Sequence, residues 1–173
     1  VFEASRVLGG RARATQIAGF SVDNGQHILV GAYTETLRLM RAVGADPDVL
    51  LRRTPLRFEL PAELIMRAPS IHVPAPLLIA FALLLAKGLD WREKWAAIRL
   101  MQGLQAAKFR IVPDTTVTEW LDRNETPSRQ RRLLWEPLCI AALNTPADRA
   151  SAQVLANVLR DSLAGARAAS DML

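Results

Sequence analysis

Apolar and polar positions divide the chain into a short, glycine-rich opening and a long body with helical periodicity. From Thr34, which can cap a helix, Leu37, Met40 and Arg41 follow at helical spacing, and Gly44 supplies a stop. Leu56-Arg57-Phe58-Glu59-Leu60 alternates apolar and charged residues; Pro61-Ala62 then leads to Leu64-Ile65-Met66-Arg67, and the pair predicts a β-hairpin. The stretch 73–86 runs for 14 residues without a charge, with Pro74 and Pro76 near its start. A membrane span needs ~20 apolar residues, so this run falls short of one. It reads first as a buried core helix. Its all-round apolarity keeps a second reading, a helix in a membrane interface, because a surface helix would show a polar face.

Further helices announce themselves by their caps. Asp90 with Glu93 has the form of a capping box, and the helix behind it carries Trp91, Trp95 and Ile98 on one face. Thr116 with Glu119 repeats the form ahead of Trp120 and Leu121. Thr126-Pro127 begins another helix, which must kink or stop near Glu136 because Pro137 follows. Thr145-Pro146 opens the last one, 146–164, with Val154, Leu155, Val158, Leu159 and Leu163 as its apolar stripe and Gly165 as its C-terminal cap.

The opening 1–32 is different. Val1-Phe2-Glu3 reads as the end of a strand, and five of the nine glycines (9, 10, 19, 25 and 31) fall here. Such density marks a backbone that turns sharply or lies close to a ligand. The start at Val1, without a leader, reads as the interior of a longer protein.

Composition narrows the function classes. With 50% hydrophobic and 23% charged residues in 173, the chain is too apolar for disorder and long enough for a real core. One cysteine excludes an internal disulfide framework and fits a reducing compartment. His27 and His72 lie too far apart for a metal cluster, so no metal is expected. The net charge of +5 invites a nucleic-acid reading, but the 19 Arg and three Lys are dispersed among carboxylates. Arg129, Arg131 and Arg132, the densest cluster, read as a solvated helix face, and no nucleic-acid partner is expected.

Candidate chemistry sits in the opening. Glu3 taken alone is a surface carboxylate; at the end of the second strand of a dinucleotide-binding unit it would accept from ribose hydroxyls. Gly9-Gly10-Arg11 follows, a flexible turn with a forked donor suited to phosphate oxygens. Twelve residues after Arg11 comes a second polar turn, Asp23-Asn24-Gly25-Gln26-His27. His27 reads first as a structural hydrogen-bonding residue, with a general-acid role as its functional alternative. His72 reads as structural, and Cys139 as core packing.

Glu3-Ala4, Gly9-Gly10-Arg11 and Asp23-x-Gly25 together resemble the second-strand region of the flavin-containing amine oxidase and carotenoid desaturase superfamily. Leu134-Trp135-Glu136-Pro137-Leu138-Cys139 and Ala141-Ala142-Leu143-Asn144-Thr145-Pro146 resemble a narrower group within it, the squalene-associated FAD-dependent desaturases of bacterial hopanoid synthesis, or hydroxysqualene dehydroxylases.

The resemblance implies an α-rich α/β fold: part of a Rossmann-like FAD domain over 1–32, a mostly helical substrate domain with a small β-hairpin over 33–145, and a segment 146–173 returning toward the FAD domain. It implies FAD as cofactor, with Glu3 on the adenosine ribose, Gly10 and Arg11 beside the dinucleotide, and Gly25, Gln26 and His27 near the flavin half; Asp23 braces its turn. His27 is the one catalytic candidate. The implied activity is conversion of hydroxysqualene to squalene by the full-length protein, this stretch alone binding FAD poorly or not at all. A phytoene-type carotenoid desaturase is the alternative enzyme, and a cofactor-free helical module binding lipid or protein the alternative of another class. A long-chain isoprenoid substrate, other enzymes of the same lipid pathway, and a cytoplasmic site on the inner face of the bacterial membrane complete the expectation.

Overall fold

Helix α4 (Trp91–Ala106) organises the molecule, and the reason is visible at its first turn. Asp90 Oδ1 accepts from the Glu93 backbone N–H at 2.8 Å and Glu93 Oε2 accepts from the Asp90 N–H at 2.8 Å, the reciprocal box its sequence predicts. Behind the cap, Ala97, Ile98, Leu100, Met101 and Leu104 are buried along one side. The structure, a computed structural model, describes residues 13–23, 31–69 and 75–163 together with positions 4, 6, 10, 29, 73 and 171.

In chain order the elements are β1 (Ala14–Ile17), β2 (Phe20–Asp23), α1 (Thr34–Ala42), α2 (Pro47–Leu50), β3 (Arg57–Leu60), β4 (Leu64–Arg67), α3 (Ala75–Leu85) and then α4. After it come α5 (Val117–Arg123), α6 (Ser128–Gln130), a π-helical turn (Arg131–Trp135), α7 (Glu136–Leu143) and α8 (Ala152–Leu163). The strands form two separate antiparallel hairpins, β1–β2 and β3–β4, so the described part is a helix-dominated mixture of helix and small sheets. Val1-Phe2-Glu3, expected to end a strand, lies outside the described residues.

The β3–β4 hairpin falls where the alternation places it. Phe58 pairs with Met66 and Leu60 with Leu64, which sets these four on the face that packs into the core. Ile65 then exchanges backbone bonds with Lys87, N–H to carbonyl at 3.0 and 2.9 Å, tying β4 to the connection between α3 and α4. The neighbouring Gly88 makes this closure work. Its φ is +100°, and a Cβ there would stand 1.9 Å from the Glu63 carbonyl oxygen.

The α5 capping box forms as its sequence predicts, with Thr116 Oγ1 accepting from the Glu119 N–H at 3.1 Å. Elsewhere the helix boundaries depart from the sequence pattern. Thr34 is the first residue of α1 rather than its cap, and Tyr33 precedes it without a side-chain bond. The last helix begins at Ala152, not at Pro146, because Ser151 Oγ accepts from the Val154 N–H at 3.0 Å and supplies the cap. Leu155 and Leu159 are buried as the stripe predicts, but Val154 is exposed. Gly165 lies outside the described residues.

Pro137 does not stop its helix. It sits in the first turn of α7, directly behind the π turn Arg131–Trp135. Proline lacks the N–H and crowds the carbonyl four residues back, and the wider i→i+5 turn gives that carbonyl room. The wider turn also buries Leu133, Leu134 and Trp135 in succession, which a regular helical stripe does not.

Gly88→Ala combines a left-handed backbone with a backbone clash, so it should lower stability by about 2–4 kcal/mol. Gly44→Ala, at φ +82° but with nothing within 4 Å of the added carbon, should cost only about 1 kcal/mol. Urea unfolding midpoints measure the difference, and equal losses would mean that the Glu63 carbonyl is not the cause.

Candidate functional site

The expected cofactor residues fall mostly outside the described set. Glu3, Arg11, Gly25, Gln26 and His27 are all outside it, as is His72. Gly10 is described: it is exposed, has φ +58°, and an added Cβ would meet nothing within 4 Å. Here glycine is favoured by the backbone itself, and the bare peptide is open to approach.

Between the two glycine-bearing turns lies the β1–β2 hairpin, turned by Ala18 and Gly19, both at positive φ. Ala14 pairs with Asp23, so the chain enters and leaves the ribbon at the same end, with strands about 4.8 Å apart. The register sets Thr15, Ile17, Phe20 and Val22 on one face, and the three large apolar residues of that face are exposed.

A second feature is apolar and belongs to α3. Leu78, Ile79, Ala82, Leu83 and Ala86 turn inward. Leu77, Phe81 and Leu85, four residues apart on the opposite side, are 52%, 41% and 65% exposed. One face of the uncharged run is core and the other is surface. Lys94 Nζ donates to the Leu84 carbonyl at 2.7 Å, a charged donor on the C-terminal end of α3. A narrow cleft of about 120 Å³ separates α3 from α4, lined by Leu77, Ala80, Leu83, Ile98, Met101 and Gln105. Trp91 and Trp95, expected on the same face as Ile98, are instead 62% and 43% exposed. They meet edge to face, with ring centroids 5.5 Å apart.

The titratable groups with resolved shifts serve ion pairing and capping. Arg57 and Arg67, paired across the hairpin, both donate to Glu59 and hold its carboxyl down at about 2. Asp114 is lowered chiefly by the Ser151 hydroxyl at 2.6 Å and then by the Gln153 N–H, where it braces the start of α8. Glu119 is lowered by the Thr115 hydroxyl and the Thr116 N–H at the start of α5. Burial pushes the Cys139 thiol up; it lies fully buried and donates to the Thr145 carbonyl at 3.4 Å, as core packing predicts. These carboxylates favour the ionised form, which suits bracing rather than proton donation. Among the described residues no group of three His, Cys, Asp or Glu could hold a metal.

The arginine cluster has partners that the local sequence does not show. Arg129 pairs with Glu93 at 2.8 Å, Arg132 with Glu63 at 2.7 Å, and Arg131 with Asp122.

Within the subgroup-like segment, Trp135 and Cys139 are buried, with Trp135 edge-on to Trp120 at 6.2 Å. Glu136, Ile140 and Asn144 are exposed at spacings of four. They share one side of α7, and Asn144 ends it in the left-handed region at φ 49°. Sequence reasoning did not single out this side or the Leu77-Phe81-Leu85 ridge, although the i, i+4, i+8 spacing of each was in plain view.

A family model described as flavin containing amine oxidoreductase matches residues 1–156. Comparison with curated proteins gives no match.

Because the folded value of Glu59 lies below the ordinary 4.5, its ionised form stabilises the hairpin fully above about pH 4.5, and this contribution is lost as pH falls toward 2. Carboxyl-carbon NMR should give a Glu59 midpoint near 2, and Arg57→Ala or Arg67→Ala should each move it upward. A wild-type midpoint near 4.5 would show that the two guanidiniums are not engaged.

Proposed function

The chain belongs to the flavin-containing amine oxidoreductases, and from that premise we propose that it forms part of an FAD-dependent enzyme converting hydroxysqualene to squalene. The match over residues 1–156 carries the flavin part of this reading, and the family's cofactor is FAD. The substrate part is supported by the resemblance of residues 134–139 and 141–146 to the hydroxysqualene dehydroxylases and by the apolar surface of α3.

Gly10 fits a dinucleotide: its positive φ and open side leave a peptide that a pyrophosphate can approach. Around it, Glu3 would accept from the ribose hydroxyls, Arg11 would face the phosphates, and Gly25, Gln26 and His27 would line the flavin half. FAD, when bound, supplies two-electron chemistry. The chain's own part is to hold and orient the cofactor, exclude water, and, at His27, deliver a proton to the departing hydroxyl. Glu136, Ile140 and Asn144, on the exposed side of α7, would face the substrate, while Trp135, Pro137 and Cys139 shape the helix that carries them.

The domain reading goes with it: 1–32 as part of a Rossmann-like FAD domain, 33–145 as substrate domain, and 146–173 returning. One contact supports the return. The Gly31 N–H donates to the Asp171 carbonyl at 2.9 Å.

The full-length protein should purify with a flavin spectrum and, given reductant and hydroxysqualene, yield squalene by gas chromatography. Glu3→Ala should weaken FAD binding by roughly 10- to 100-fold, the loss expected for hydrogen bonds to a charged group. Desaturation of supplied phytoene, with hydroxysqualene untouched, would replace this reading with a carotenoid desaturase. A colourless protein that takes up no FAD would leave a helical lipid- or protein-binding module.

A further inference from the structure

The uncharged run now has two distinguishable faces, and the outward one lacks a cover among the described residues. Leu78, Ile79, Ala82, Leu83 and Ala86 fix the rotation of α3 against the core, so the helix cannot turn Leu77, Phe81 and Leu85 inward. Small residues at 82 and 86 let the inner face pack closely between Leu78, Ile79 and Leu83. The exposed indoles of Trp91 and Trp95 begin the next helix, and Lys94 reaches back from between them to α3.

Charge selects the occupant. Lys87, between the two helices, and Arg92, beside Trp91, are exposed and have no side-chain partner among the described residues. The nearby carboxylates are already engaged: Glu59 by Arg57 and Arg67, Glu93 by Arg129, and Asp90 by the cap of α4. An apolar ridge with aromatic residues and free cations at its margin matches an anionic lipid interface, where acyl chains meet the ridge, indoles lie at headgroup level and phosphates meet Lys87 and Arg92. Helix α3 has 11 residues, about 16 Å at 1.5 Å per residue, and no helix among the described residues is long and apolar enough to cross a membrane. The geometry is that of a helix lying along a surface.

We propose that Leu77, Phe81 and Leu85, with Trp91 and Trp95, seat this protein in the interface of an anionic bilayer, α3 lying parallel to the membrane. The proposal rests on the reading of an oily substrate above, to which it adds the surface that would meet the lipid.

The test uses the full-length protein with vesicles of phosphatidylcholine alone and of phosphatidylcholine containing phosphatidylglycerol. Cosedimentation should be strong only with the anionic vesicles, and brominated acyl chains should quench the exposed tryptophans on binding. Phe81→Ser with Leu85→Ser should weaken binding at least tenfold and abolish quenching, with only a small drop in melting temperature because both side chains are part-exposed. Lys87→Glu with Arg92→Glu should weaken binding to the same degree and flatten its salt dependence. Val49→Ser, at an exposed apolar position on α2, should change nothing.

Failure to bind anionic vesicles would overturn the proposal, as would binding indifferent to both double variants. A large drop in melting temperature in Phe81→Ser/Leu85→Ser with binding unchanged would show that another part of the protein covers the ridge. A lipid-free dimer abolished by that variant would show that a second copy does. Flavin content and turnover of detergent-dispersed hydroxysqualene, measured in parallel, separate the two readings. Turnover without vesicle binding sinks the surface alone, and vesicle binding without flavin or turnover sinks the enzyme reading alone.

Discussion

The buried carboxylate of Glu93 is the constraint on which the helical body depends. At 4% exposure its polar atoms need partners within the protein, and Oε2 has two. Oε2 accepts from the Asp90 N–H, which starts α4, and from Arg129 Nη1, which brings in α6. The backbone carbonyl of the same residue accepts from Gln130 Nε2 at 2.6 Å. One residue thus sets where α4 begins and how the helix running from Ser128 to Leu143 lies against it. Removing Arg129 would leave a buried charge with a single backbone donor, so the pair fixes geometry more than it adds net stability. Gln130 is committed in the same way: its amide nitrogen is used on Glu93, and its oxygen finds no partner among the described residues.

From that junction the other elements follow. Orienting α4 presents Ile98 and Met101 to α3, and α3 in turn presents Leu78 and Ala82 to the core. The Lys94 ammonium closes the end of α3, and the Ile65–Lys87 bridge draws the β3–β4 hairpin onto the same corner. Gly88 is required there because the hairpin turn passes within side-chain distance of its backbone. At the far end, Gln153 does the equivalent work: its amide accepts from Ile111 and donates to Phe109 and Asn157, holding the 109–111 segment onto α8.

What the sequence makes legible is local. Capping boxes at Asp90–Glu93 and Thr116–Glu119 form as written because each is complete within four residues. The β3–β4 alternation likewise carries its own register. Misreadings arise where the deciding partner is distant. Periodicity grouped Trp91 and Trp95 with Ile98, but the stripe that α4 buries is chosen by what packs on it, and the indoles fall outside. Pro137 signalled a kink or stop near Glu136, and the chain does not stop there: a π turn ending at Trp135 interrupts the regular helix and absorbs the proline. Arg129 and Arg132 are exposed as a solvated face predicts, but the ion pairs of Arg129, Arg131 and Arg132 were not legible because Glu93, Asp122 and Glu63 come from three other places in the chain. Of the candidate cofactor residues, Gly10 shows the backbone that its glycine predicts, and the hairpin register brings both flanking segments to one end of a ribbon.

Helix α3 resolves an alternative that composition alone leaves open. An uncharged helix was expected either in the core or in an interface, as though the whole cylinder had to choose. A helix has two sides: Leu78, Ile79, Ala82, Leu83 and Ala86 face the close-packed interior, while Leu77, Phe81 and Leu85 face outward. These outer positions are only partly covered, Leu77 by the cleft against α4, and roughly half of each side chain is left on the surface. Packing among the described residues accounts for their buried halves and leaves the exposed apolar halves without a contact there. Contact with an apolar phase would account for it, and Lys87 and Arg92, without side-chain partners among the described residues, suit one that carries negative charge.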